Sequence, residues 1–211
     1  MCGIVGYIGH REAYPIILKG LQRLEYRGYD SAGVALYHDG KINVSKTKGK
    51  VDDLRKKVES SGNMEGHLGL GHTRWATHGV PNDTNSHPHY SNSGDLVIIH
   101  NGIIENYESI KKALIARGYV FHTDTDTEVL VNLIEEVRDK EEVKLGKAVQ
   151  IALNQVVGAY AIAVFDKNKP DENVVAKLGS HLAIGMGENE NFVASDDSPF
   201  IEYTNNAVYL E

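Results

Sequence analysis

The 211-residue chain contains one cysteine, Cys2, one tryptophan, Trp75, and five prolines. A single thiol excludes an internal disulfide framework and any cysteine-rich zinc site, and it suits a reducing, cytoplasmic compartment. No apolar run approaches the ~18 residues that suggest a membrane span. Met1-Cys2-Gly3 leads into a short strand-like run without the basic segment and long apolar core of a secretory signal. Basic charge is also in deficit, with 22 Lys and Arg against 29 Asp and Glu, a net charge of −7. Neither nucleic acid nor membrane is therefore an expected partner. The deficit is uneven: residues 1–103 carry 12 basic and 10 acidic groups, and residues 104–211 carry 10 and 19. The first half is the better host for an anionic ligand.

What remains is ordinary globular composition, 41% hydrophobic and 24% charged, which argues against disorder, collagen-like repeats and coiled coil. Gly3 to Gly9 reads as a buried strand bounded by glycines. Helical spacing follows over 12–26, with Pro15 in the first turn, where no backbone donor is needed. Two strands at 33–38 and 41–47 flank the hairpin signal Asp39-Gly40, and a short charged helix fits 51–60. Strands are expected again at 67–73 and 95–100. Between them the polar segment 75–94 is too long for an ordinary connection and is read as functional or mobile. Helices are expected at 104–117, 127–138 and 143–156, then strands at 159–165, 173–178, 182–187, 191–194 and 207–210. Grouped central helices between hairpin-like strands predict an α+β fold with antiparallel sheets in one domain.

Four constellations carry chemical potential. Cys2 follows the initiator methionine; if Met1 is removed, a free α-amine titrating near ~8 lies beside the thiol. One residue then supplies both nucleophile and base, although a lone cysteine is more often a small buried hydrophobe. His100-Asn101-Gly102 falls where a strand is expected to end and a helix to begin. An Asn amide and a Gly N–H can both donate to an oxyanion, while Asn-Gly is also a common turn. In His72 to Gly79, Arg74 offers a planar fork for a carboxylate; the alternatives are a surface ion pair for Arg74 and a core anchor for Trp75. In Thr123 to Glu128, Thr125 with Glu128 has capping-box spacing, and Asp126 is a candidate partner for a substrate ammonium. The histidines His72, His78, His87, His89, His100 and His122 lack the i, i+4 pairing of a His-Glu-x-x-His metal site. Loop polarity and support of neighbouring site residues are favoured for them over a metal hydrolase.

In combination these residues resemble a known family. Cys2 to Gly6, Leu24-Glu25-Tyr26-Arg27-Gly28-Tyr29-Asp30-Ser31-Ala32-Gly33, His72 to Gly79, Asn85 to His89, His100 to Asn106 and Thr125 to Glu128 follow the order seen in glutaminase domains of class II glutamine amidotransferases. They are most similar to those of the glucosamine-6-phosphate synthase (glutamine–fructose-6-phosphate aminotransferase) family. The likeness covers essentially the full chain. It implies an N-terminal-nucleophile hydrolase fold, a four-layer αββα sandwich, in a glutaminase domain spanning 1–211. It also implies hydrolysis of the glutamine side-chain amide through a γ-glutamyl thioester on Cys2, which requires Met1 to be absent. Asn101 and the Gly102 N–H are implied as the oxyanion hole, Arg74 as carboxylate clamp and Asp126 as ammonium partner. Trp75, Thr77 and His78 match the loop that closes over glutamine, and Arg27 an arginine near the nucleophile.

No cofactor or metal is implied. The expected ligands are L-glutamine and L-glutamate. The partner is a sugar-isomerase domain that this chain, ending at Glu211, does not contain, so synthase activity is not expected of it; a monomer or weak dimer is. The phosphoribosylpyrophosphate amidotransferase type typically has His-Arg-Gly-Gln where this chain has Tyr26-Arg27-Gly28-Tyr29. A non-catalytic glutamine-binding module would not need Cys2 together with Asn101, Gly102, Arg74 and Asp126.

Overall fold

The computed structural model describes residues 1–211. A seven-stranded sheet holds β1 (Gly3–Ile8), β2 (Ser31–His38), β3 (Lys41–Lys48), β4 (Leu68–Arg74), β9 (Ala183–Gly187), β10 (Glu190–Ala194) and β11 (Ala207–Tyr209) in the order β11-β9-β10-β1-β4-β2-β3. A four-stranded sheet holds β5 (His89–Tyr90), β6 (Leu96–Ile104), β7 (Gly158–Asp166) and β8 (Lys169–Leu178) in sequence order. All ladder pairings are antiparallel.

Strand alternation builds the layers, because successive side chains point to opposite faces. Along β1, Val5 and Tyr7 pack into one core with α1 (Ala13–Arg23) and α2 (Val51–Ser60), while Ile4 enters a second. Along β6, Val97 and Ile99 join that second core, and Leu96 and Ile98 turn to a third under α4 (Asp126–Glu141) and α5 (Leu145–Leu153). The middle core also takes Leu70, Ala161, Ala163 and Phe165 from the facing sheets. Three apolar cores between successive layers make the four-layer αββα sandwich expected of the resemblance. Such near-continuous apolar strands are what burial on both faces requires.

Two differences from the sequence reading bear on the site. The strand expected at 95–100 continues to Ile104, and α3 (Tyr107–Ala116) begins only afterwards. Asn101 and Gly102 therefore lie inside a strand rather than at a strand-to-helix junction. Gly102 makes this possible: its φ is +124°, and a Cβ there would overlap the Ala159 carbonyl oxygen. The second difference concerns 75–94, which is largely buried over Asn85–His89 and contains the two-residue strand β5. Its polar side chains are internal bonding groups. Asn85 donates to the Val80 carbonyl and the Asp124 carboxylate and accepts from the Asp124 N–H at 3.0 Å. Gly33 lets the same segment approach, since a Cβ there would strike the His87 carbonyl oxygen.

Candidate active site

The N-terminal strand is clamped before it reaches the site. Ser195 Oγ accepts the Ile4 N–H at 3.1 Å, and the Ser195 N–H donates to the Ile4 carbonyl at 3.1 Å. Arg27 Nη1 donates to the same hydroxyl, and the Arg27 carbonyl accepts the Met1 terminal ammonium at 2.9 Å. Cys2 is thus held at the edge of a cavity of about 530 Å³. The Trp75 N–H donates to Cys2 Sγ at 3.1 Å. Burial pushes the thiol up from its ordinary value, while the Trp75 N–H, the terminal ammonium and Arg74 pull it back.

On the opposite wall, Asn101 Nδ2 donates to the Cys2 carbonyl at 3.1 Å. One of its two N–H bonds is left for another acceptor. The N–H of Ile104 leaves the ladder side of β6 and donates to Asp126 Oδ2 at 2.8 Å. Amides of alternate residues share one edge of a strand, so the Gly102 N–H lies on this same edge, away from β7.

Arg74 ends β4 and is 3% exposed. Its Nη2 donates to the His78 carbonyl, whereas its Nη1 has no partner. The surface ion pair is therefore not its role. A buried guanidinium with an unused donor is costly unless a ligand anion completes it. Asp126, at the first position of α4, is buried and unpaired except for the Ile104 N–H and His78 Nδ1 at 3.9 Å. The cap belongs to Thr125, whose Oγ1 accepts the Glu128 N–H at 3.2 Å; Asp126 is thereby free to face the cavity. Trp75 is 56% exposed, so it is not a core anchor. Asp30 fixes the loop it begins, accepting the Ala76 N–H at 2.6 Å and donating its own N–H to the Arg74 carbonyl.

Cys2, Arg27, Arg74, Trp75, Thr77, Asn101, Gly102 and Asp126 all line this cavity. His78 is not among the lining residues; its carbonyl holds Arg74. Sequence reading missed the far wall, Gly179-Ser180-His181, and the Ser195 clamp. Neither has a motif signal, because both arrive from the C-terminal third of the chain by folding alone. A wider polar cavity of about 770 Å³ lies between β3, α2 and His122, away from Cys2. None of the buried unpartnered polar atoms belongs to its lining residues. No three His, Cys, Asp or Glu side chains are grouped to hold a metal ion. His72, His87 and His89 pack ring against ring instead.

Two facing antiparallel sheets between helices, with Cys2 directly preceding β1, define the N-terminal-nucleophile hydrolase fold. Residues 59–181 match the family described as "Glutamine amidotransferase domain", and the chain belongs to that family. It is 59% identical, over its full length, to glutamine–fructose-6-phosphate aminotransferase (isomerizing) of Bacteroides thetaiotaomicron, covering 34% of that protein. It is 49% identical over its full length to the Pyrococcus horikoshii enzyme of the same name, covering 35%. The chain spans about a third of the length of the curated relatives it matches. Among solved structures, glutamine phosphoribosylpyrophosphate amidotransferase from B. subtilis superposes with a TM-score of 0.82 at 31% identity, over 99% of this chain and 44% of that one. No helix is long and apolar enough to cross a membrane.

Proposed function

We propose that this chain is a glutaminase domain over 1–211 that hydrolyses the side-chain amide of L-glutamine on Cys2. The observation that carries the reading is the convergence on one cavity of the Cys2 thiol, the Asn101 and Gly102 donors, the incomplete Arg74 guanidinium and the Asp126 carboxylate. Arg74 and Asp126 supply opposite charges for the α-carboxylate and α-ammonium of a free amino acid. Trp75, Thr77 and His78 form the loop that closes over it, and Arg27 supports the nucleophile's terminus.

While Met1 is attached, the nitrogen of Cys2 is a peptide nitrogen and cannot act as a base. Once Met1 is removed, the α-amine takes the thiol proton and Sγ attacks the amide carbon. The carbonyl oxygen becomes an oxyanion that accepts from Asn101 Nδ2 and the Gly102 N–H. Collapse breaks the C–N bond, with the α-ammonium returning its proton to the departing ammonia. The γ-glutamyl thioester is cleaved by water, the same amine taking the water's proton and passing it back to sulfur. Glutamine and water become glutamate and ammonia.

The identity to glutamine–fructose-6-phosphate aminotransferases supports a place in an amino-sugar-forming enzyme. In the whole polypeptide a sugar-isomerase partner would take the ammonia to convert fructose 6-phosphate into glucosamine 6-phosphate. The lone unpaired thiol favours a cytoplasmic setting. As a separate segment the chain is proposed to be a monomer or weak dimer. The test is glutamate release from glutamine by protein whose mass shows Met1 removed, with Cys2→Ala alongside. Turnover that is lost in the variant while glutamine binding persists supports the reading. Absence of turnover in the processed protein, or its persistence in Cys2→Ala, defeats it.

A further inference from the structure

His72 does not line the cavity, yet it touches the group that does. It lies on β4 and crosses the gap between the sheets to β6. Its Nε2 stands 3.0 Å from the His100 carbonyl oxygen and 2.9 Å from Asn101 Oδ1, and its Nδ1 has no partner. A backbone carbonyl only accepts, so the nitrogen facing it must carry the proton. Complete burial holds the ring neutral, with its pKa pushed down to about 3, and a neutral imidazole has one N–H. The proton is therefore on Nε2, and Nδ1 is bare.

That tautomer has a consequence for Asn101. A Nε2–H can be met only by the oxygen end of the amide. The nitrogen end is then turned to the Cys2 carbonyl at 3.1 Å. In the flipped amide, Oδ1 would oppose the Cys2 carbonyl and Nδ2 would oppose the Nε2–H. Both contacts would be repulsive. The ring itself is held by stacking on His87, centroid to centroid 4.2 Å, and His87 Nε2 is fixed by Thr127 Oγ1 at 2.9 Å.

We propose that His72 is a positioning residue for catalysis: by donating Nε2–H to Asn101 Oδ1 and the His100 carbonyl, it sets which end of the Asn101 amide faces the reacting carbonyl. The inference rests on the glutaminase reading above. It adds that the oxyanion donor is oriented from the opposite sheet by a residue that contacts neither thiol nor substrate. No proton is transferred by His72 at any step.

The experiment compares His72→Gln, His72→Asn and His72→Phe in Met1-free protein, alone and with Asn101→Ala. Glutamine turnover and thermal unfolding are both measured. A Gln amide reaches the position of Nε2 and an Asn amide that of Nδ1, so Gln should restore what Asn and Phe lose. The expected loss is in kcat, roughly ten- to hundred-fold and bounded by the 10²–10³ of an absent oxyanion donor. KM for glutamine should stay within about threefold, since ground-state contacts are untouched. In the Asn101→Ala background, the same His72 substitutions should cost nothing further in kcat, the signature of one shared interaction. If His72→Phe does not fold, the Gln and Asn pair decides alone. Equal kcat in Gln and Asn variants, or additive losses with Asn101→Ala, would overturn the proposal while leaving the glutaminase reading intact. Absence of turnover in the parent protein would instead defeat that reading, and this inference with it.

Discussion

The Trp75 N–H lies 3.1 Å from Cys2 Sγ, so the first residue of the exposed 75–79 loop also donates to the only thiol of the chain. The proposed closing loop and the proposed nucleophile are therefore one hydrogen-bonded unit. Asp30 ties that unit to β2 through the Ala76 N–H.

In the proposed mechanism Met1 is the first point of control. Its ammonium donates to the Arg27 carbonyl and its side chain is among those lining the cavity. Glutaminase activity should scale with the fraction of chains lacking Met1, read by intact mass against the glutamate-release rate. A homogeneous Met1-bearing sample that turns over like processed protein would remove the α-amine from the mechanism.

The two charges of the cavity should act on binding before chemistry. Arg74→Ala forfeits charge-assisted hydrogen bonds of about 1.5–3 kcal/mol, so KM for glutamine and Kd for glutamate should rise roughly 10–100-fold. Asp126→Asn should shift both in the same direction. Calorimetric titration with glutamate checks this, and unchanged affinity in either variant would dissociate that residue from the ligand.

Gly102→Ala should be damaging twice over. The left-handed φ of +124° strains any residue with a Cβ, and that Cβ would meet the Ala159 carbonyl. Backbone strain of this kind costs on the order of 1–3 kcal/mol, so the unfolding midpoint should fall by several degrees, and the displaced amide should lower kcat as well. A variant with parental stability and rate would contradict the strand geometry at this position.

The buried histidines make acid destabilising. In the folded chain His72 is held at about 3, and His87, His89 and His100 are also lowered, in each case chiefly by burial. Unfolding returns them to the ordinary value of about 6.5. The unfolded state then binds more protons, so stability is fully present above pH 6.5 and falls as pH drops below it. The loss is about 1.4 kcal/mol per pH unit for each histidine until its folded pKa is reached. Denaturant melts between pH 7.5 and 5 should show this slope. A flat profile would mean that the rings are hydrated and charged in the native state.

Most elements were legible because burial imposes its period on the residues. The unbroken apolar run Leu96, Val97, Ile98, Ile99 marks a strand whether or not its two cores are known. The run past residue 100 was not legible, because His-Asn-Gly carries turn chemistry and only the close approach of Ala159 shows it to be strand. The polar segment 75–94 misled in the same way: Asn85, Ser86, His87 and His89 look solvated until Asp124, Thr127 and Thr125 arrive to bond with them or their neighbours.

The residue types of the site were set locally. A cysteine after the initiator, Asn-Gly beside a strand, a lone Arg-Trp and a capping Thr-Asp-Thr-Glu state their chemistry within a few positions. Their arrangement was not set locally. That Arg74 lacks a partner, that Asp126 is released from capping by Thr125, and that His72 faces the oxygen of Asn101 depend on two sheets stacking in one register. A side chain's chemistry belongs to its own atoms, whereas the empty valence beside it depends on what the rest of the chain leaves unfilled.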